Sequence, residues 1–76
     1  MPTVLRVGGF AVRIYGNDHE PAHVHVYGAD GWCKVDIATA AVTKVLGMKN
    51  PEVRRAASLT AAHKHLLTRK WEEIHG

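Results

Sequence analysis

The sequence predicts an α+β domain: an antiparallel sheet of four or five strands, built from two hairpins, with one long C-terminal helix packed on one face. Three observations predict it. Two stretches of the N-terminal half alternate apolar and polar residues around glycine-bearing turns. The C-terminal third instead repeats apolar residues every three or four positions. The two patterns follow one another without a repeat, a low-complexity tract or a linker, so 76 residues at 46% hydrophobic content read as a single domain, 1–76.

The first hairpin is "VLRVGGFAVRIY". Gly8 and Gly9 accept the positive φ angles of a tight turn. A two-residue turn sets Val7 against Phe10, Leu5 against Val12 and Thr3 against Ile14 on an apolar face. Arg6 then opposes Ala11, and Val4 opposes Arg13, on the other face. The second hairpin, "HVHVYGADGWCKVDI", turns through Gly28, Ala29, Asp30 and Gly31. Pairing Tyr27 with Trp32 sets Val26 against Cys33 and Val24 against Val35 on the apolar side. His25 then meets Lys34, and His23 meets Asp36, on the other. A slip of one residue would put the valines in water. "ATAAVTKVLG" reads as a bend and a short fifth strand, Val42 to Leu46, or as the start of a helix.

The last element begins with Asn50 as N-cap, Pro51 at the first helical position and Glu52 at the positive helix end. Val53, Ala56, Thr60, His63, Leu67, Trp71 and Ile74 form its apolar stripe, widened by Leu59 and Leu66, and the helix runs to about His75. One helix covers one face of a sheet. The open face then carries Arg6, Arg13, Tyr15, His23, His25, Tyr27, Trp32, Lys34 and Asp36.

Composition narrows the function classes. A single cysteine, Cys33, excludes an internal disulfide and suits a reducing cytoplasm, where it is a core residue. "MPTVLRVGGF" lacks the apolar run of a signal peptide, and no stretch is long enough to span a bilayer. A soluble, cytoplasmic protein with no membrane partner is expected. A net charge of +3 biases the chain mildly toward polyanions.

"NDHEPAHVHVYG" concentrates His19, His23 and His25. Three readings compete. In the first, His23 and His25 project from one side of a strand onto a divalent metal such as zinc, with His19, Asp18 or Asp36 as third ligand; Lys34 beside them counts against it. In the second, no cofactor is needed. His23, oriented by Asp36, acts as base and His25 as acid, while Arg13 and Lys34 stabilise developing charge in metal-independent RNA cleavage. Arg6, Arg13, Tyr27, Trp32 and Lys34 then form the nucleic-acid-binding surface, with the two aromatics stacking an unpaired base. In the third, the face is structural and serves as a dimer or partner interface, for which Tyr, Trp and Arg are suited.

The remaining signals are weaker. His63 is expected against the sheet, His65 outward, and His75 in the last helical turn, where a cation complements the dipole. Trp71 is expected as a core anchor. Arg54, Arg55, Lys44 and Lys49 suggest a second basic patch, solvated or in contact with phosphate.

Asn17-Asp18-His19-x-Pro21-x-His23-Val24-His25-Val26, together with the closing Trp71-Glu72-Glu73-Ile74-His75, resembles the small bacterial family called domain of unknown function 4160. The resemblance covers nearly the whole chain. Ala22 stands where the family often has a second proline, and "TAAV" is shorter than the usual stretch. The resemblance implies a component of a toxin–antitoxin module, effector or antidote, with a cognate toxin or antitoxin protein as partner. Combined with the residues, it gives an expectation of an RNA-binding protein or small ribonuclease acting through the open sheet face. The alternatives are a non-catalytic partner-binding or homodimerising module and a small His-based metal-binding protein.

Overall fold

The structure, a computed structural model, describes residues 2–76. Five strands precede two helices: β1 Thr3–Val7, β2 Phe10–Arg13, β3 His23–Tyr27, β4 Trp32–Asp36, β5 Val42–Leu46, α1 Asn50–Ala62 and α2 Lys64–His75. The sheet order is β1-β2-β3-β4-β5 and every pairing is antiparallel. The "ATAAVTKVLG" stretch therefore resolves as the fifth strand.

Alternation dictates the layers. Val12, Val24, Val26, Cys33 and Val35 point to one face and have no exposure, and Phe10, Ile14 and Ile37 extend that face. Met48, Ala56, Leu67 and Trp71 close over it from the C-terminal half. The β3–β4 register is the one the valines demand, with Val24 opposite Val35 and Val26 opposite Cys33. The β1–β2 hairpin departs from expectation at its open end. Gly8 and Gly9 do take φ of 56° and 82°, but the register shifts beyond Leu5, and Thr3 meets Arg13 rather than Ile14. Ile14 has left the ladder, and its N–H donates instead to the Pro2 carbonyl at 2.9 Å.

The C-terminal segment is two helices, not the one long helix expected. The break is His63, at φ −110° and ψ 25°. Its Nδ1 lies 2.9 Å from the Leu59 carbonyl, the same oxygen its own N–H reaches at 3.0 Å. The side chain thus bonds back to the carbonyl four residues earlier at the residue where α1 ends. Neither glycine nor proline occurs between Glu52 and His75 to announce this break. The apolar stripe still runs through it. Ala56 and Thr60 are buried on α1, Leu67 and Trp71 on α2, and the Thr60 hydroxyl donates to the Ala56 carbonyl at 2.9 Å. Ile74, expected in the stripe, is 39% exposed.

The start of α1 is also shifted by one residue. Lys49 is the N-cap, and its N–H donates to the Glu52 carboxylate at 3.4 Å, so Glu52 rather than the Asn50 side chain satisfies a free donor. α1 packs on β4 and β5. α2 carries the chain to the end of the sheet where β3 begins, and there it meets the functional cluster.

Candidate functional site

The loop between β2 and β3 folds back over the first residues of β3. Its Asp18 N–H donates to the Tyr15 carbonyl at 3.2 Å, the Glu20–Pro21 peptide is cis, and Glu20 accepts the Trp71 indole N–H at 3.2 Å. The Glu20–Trp71 bond ties the loop to α2. Loop and helix cover a part of the sheet expected to be open: His23 is buried at 8% exposure, with its ring centroid 5.4 Å from that of Trp71.

His23 Nδ1 lies 2.8 Å from the Pro21 carbonyl. A carbonyl only accepts, so Nδ1 carries a hydrogen and donates it, which turns Nε2 toward the loop. Nε2 faces Asp18 Oδ2 at 3.2 Å. His25 Nδ1 lies 3.7 Å from the same oxygen. Asp18 Oδ2 and His25 Nδ1 are both buried without a hydrogen-bond partner. One ligand atom from each of Asp18, His23 and His25 falls within 4.8 Å of the others. The cluster opens into a cleft of about 510 Å³, whose lining also includes His19, Lys34 and Asp36.

Burial shapes His25 further. Its ring stands edge-on to Tyr15 at 5.0 Å and tilted to Trp32 at 5.3 Å. Desolvation pushes its pKa below the usual imidazole value. Asp18 opposes that shift, while His23, Lys34 and Lys44 reinforce it. Burial therefore favours the neutral form of His25.

The sheet register arranges the remaining polar side chains in rows. Arg13, His25, Lys34 and Lys44 stand directly opposite one another across β2, β3, β4 and β5. Two residues along the strands, Ala11, Tyr27, Trp32 and Leu46 form a parallel row, and Arg6 continues it on β1. The rows touch. The Arg13 guanidinium lies 4.5 Å from the Tyr27 ring centre, and the Lys44 ammonium 5.6 Å from that of Trp32. The Tyr15 and Tyr27 hydroxyls are 2.9 Å apart. This shared hydrogen bond lowers the Tyr15 pKa and raises that of Tyr27.

The expected site residues thus divide. His23, His25, Arg13 and Lys34 come together as their spacing suggests. Asp36 is opposite His23 in register, but its Oδ1 accepts the N–H groups of Ala38 and Thr39 at 2.9 and 3.3 Å, bracing the turn into β5. Asp18 is the carboxylate against His23. His19 is exposed and stands outside the three-residue cluster. Tyr27 and Trp32 pair with ring centroids 6.0 Å apart, as expected, and Arg6 lies at the sheet edge. Lys44 belongs to the sheet row beside Trp32, rather than to a patch with Arg54, Arg55 and Lys49. Its place follows from β5 pairing with β4, which periodicity left open. Cys33 is buried in the core, and burial pushes its thiol pKa up to about 11. His75 stacks on Trp71 at 3.7 Å and, with Glu20, fixes the indole beside His23.

No helix among the described residues is long and apolar enough to cross a membrane. No curated protein and no solved structure matches the chain. A family model does match, over residues 9–72, a span that contains the Asp18–His23–His25 cluster, both sheet rows and Trp71. The chain therefore belongs to the family described as domain of unknown function (DUF4160).

Proposed function

We propose that this chain is a divalent-metal protein in which Asp18, His23 and His25 hold a zinc-class ion and leave coordination positions open for water or a substrate oxygen. One observation carries the reading: Asp18 Oδ2, buried without a hydrogen-bond partner, faces His23 Nε2 at 3.2 Å and His25 Nδ1 at 3.7 Å, with one ligand atom of each residue within 4.8 Å of the others. Two donors bound to zinc at tetrahedral angles lie about 3.4 Å apart, given bonds of about 2.0–2.1 Å. The contacts to Asp18 Oδ2 are 3.2 and 3.7 Å. The Pro21 carbonyl on His23 Nδ1 is the kind of outer contact that fixes a ligating imidazole's tautomer. Asp18 adds a carboxylate ligand to a cleft that Lys34 also lines. A bound ion of this class supplies Lewis acidity and a water ionising near pH ~7. Asp18 and the two imidazoles would orient it, and the folded-back loop would exclude bulk water from its inner side.

The same two imidazoles support a second reading, metal-independent RNA cleavage. A proton between Asp18 and His23, at 3.2 Å, would make His23 the oriented member of an acid/base pair. It leaves His25 Nδ1, at 3.7 Å from Asp18, too far for a hydrogen bond. The metal reading uses both contacts and is preferred. The toxin–antitoxin role is a proposal drawn from the family resemblance. In it this chain is effector or antidote, with a cognate toxin or antitoxin protein as its partner.

Cobalt(II) added to chelator-treated protein tests the metal reading. The expected result is visible absorption that saturates at one equivalent, disappears in Asp18→Asn and His25→Ala, and persists in His19→Ala and Asp36→Asn. A spectrum identical to aqueous cobalt would overturn it. RNA cleavage that survives chelator would move the histidines to the acid/base reading.

A further inference from the structure

We infer that the polar sheet face binds single-stranded nucleic acid laid across the strands, with phosphates along the Arg13–His25–Lys34–Lys44 row and bases against Tyr27 and Trp32. The inference rests on the metal reading only for the phosphate nearest His25, which would reach the open side of that site.

Three observations support it. Lys34 and Lys44 stand directly opposite each other on adjacent strands, an arrangement that repels. Among the described residues, no carboxylate forms an ion pair with Arg13, Lys34 or Lys44; Asp18 faces His23 and His25, and Lys70 pairs with Glu73. Arg13 Nε is, moreover, buried without a hydrogen-bond partner. A line of unneutralised cations on a folded surface matches a polyanion, and the row spans about 14 Å at about 4.8 Å per strand.

The second row identifies the polyanion. Tyr27 and Trp32 lie immediately beside the cations, in contact with Arg13 and Lys44. An acidic peptide would use the cations and leave the rings idle. A strand with unpaired bases uses both rows at once, backbone on the cations and bases on the aromatics. A duplex hides those base faces, so the single strand is the better fit.

Fluorescence anisotropy with zinc-loaded protein tests this, using short labelled oligouridylate and oligothymidylate as probes. Both are expected to bind. Lys34→Ala and Lys44→Ala are each expected to weaken binding about fivefold and to lower the salt slope by about 1. Trp32→Ala is expected to weaken it about tenfold with the salt slope unchanged. Zinc content should stay at the wild-type value in all three, since none is a metal ligand. Tighter binding of the ribose oligomer would support recognition of the 2′-hydroxyl, and equal binding would support backbone-and-stacking recognition. Three results would overturn the inference: no binding by folded wild-type protein, unchanged affinity in the lysine variants, or displacement by polyglutamate as effective as by unlabelled oligomer. Oligomer binding by protein that holds no zinc would remove the metal reading and leave this one standing.

Discussion

The two faces of this sheet obey opposite rules. On one face, Val12, Val24, Val26, Cys33 and Val35 have no exposure, and two helices supply the other half of the core. Every side chain there has a stabilising job, and small errors of size are felt. On the other face, two lysines confront each other, an arginine nitrogen lacks a partner, and a carboxylate oxygen faces two imidazole nitrogens without a hydrogen bond. Such groups cost stability when left uncompensated. The contrast teaches where to look for function: the strain of the polar face is unexplained by folding, and a cation and a polyanion would relieve it.

The comparison can be broken first on the apolar face. Val26→Asp puts a carboxylate at a position with no exposure. A chain of this length is stable by about 4–11 kcal/mol, and an isolated buried charge costs most or all of that. Loss of the far-ultraviolet circular dichroism of the fold is expected. Leu67→Ala, at a position with no exposure, should cost about 2–5 kcal/mol by denaturant titration. A smaller loss would mean that α2 contributes less to the core than its burial indicates.

Where β5 meets the β3–β4 turn, Gly31 is confined by sterics. A Cβ there would stand 2.0 Å from the Leu46 carbonyl oxygen. Gly31→Ala is expected to cost about 1–3 kcal/mol in the same titration, because the obstacle is backbone and cannot swing aside. Amide exchange should quicken in β5 before it does in β2.

The polar face should respond with the opposite sign. Lys34→Gln removes one member of the facing lysine pair, and a gain of a few tenths of a kcal/mol is expected, shrinking in high salt. A loss of stability instead would show that Lys34 has a structural partner.

Cys33 gives an effect confined to alkaline pH, with none near neutrality. Burial raises its thiol pKa from the usual value near 9 to about 11. A raised pKa keeps its stabilising contribution below the unfolded-state value and loses it as pH climbs through the folded one. Stability should thus fall between about pH 9 and 11, and Cys33→Ser should flatten that limb. Alkylation at pH 8 should proceed only as fast as the protein opens.

Much of this was legible in the sequence, and the gaps have physical reasons. Strict alternation gave the β3–β4 register residue for residue, because any slip exposes Val24 and Val26. The helix break was illegible: it falls at His63, with no glycine or proline between Glu52 and His75 to declare it. The β1–β2 shift was hidden because Thr3 lies at the open end of the hairpin, where the Gly8–Gly9 turn no longer dictates the register. Within the site, the spacing of His23 and His25 told their common side, but facing residues suggested Asp36 as partner. Pairing fixes Cα positions, not where a short carboxylate turns, and Asp36 turns to the open N–H groups of Ala38 and Thr39. Asp18 reaches the histidines only because the loop folds back. The motif "NDHEP" carries that aspartate, and its spacing alone did not separate it from His19.

The most direct test of the metal site is a zinc isotherm by calorimetry on chelator-treated protein, run beside Asp18→Asn and His19→Ala. The account predicts one equivalent bound by wild type and by His19→Ala, and none at comparable affinity by Asp18→Asn. Zinc lost in His19→Ala but kept in Asp18→Asn, or no zinc bound by folded wild-type protein, would contradict it.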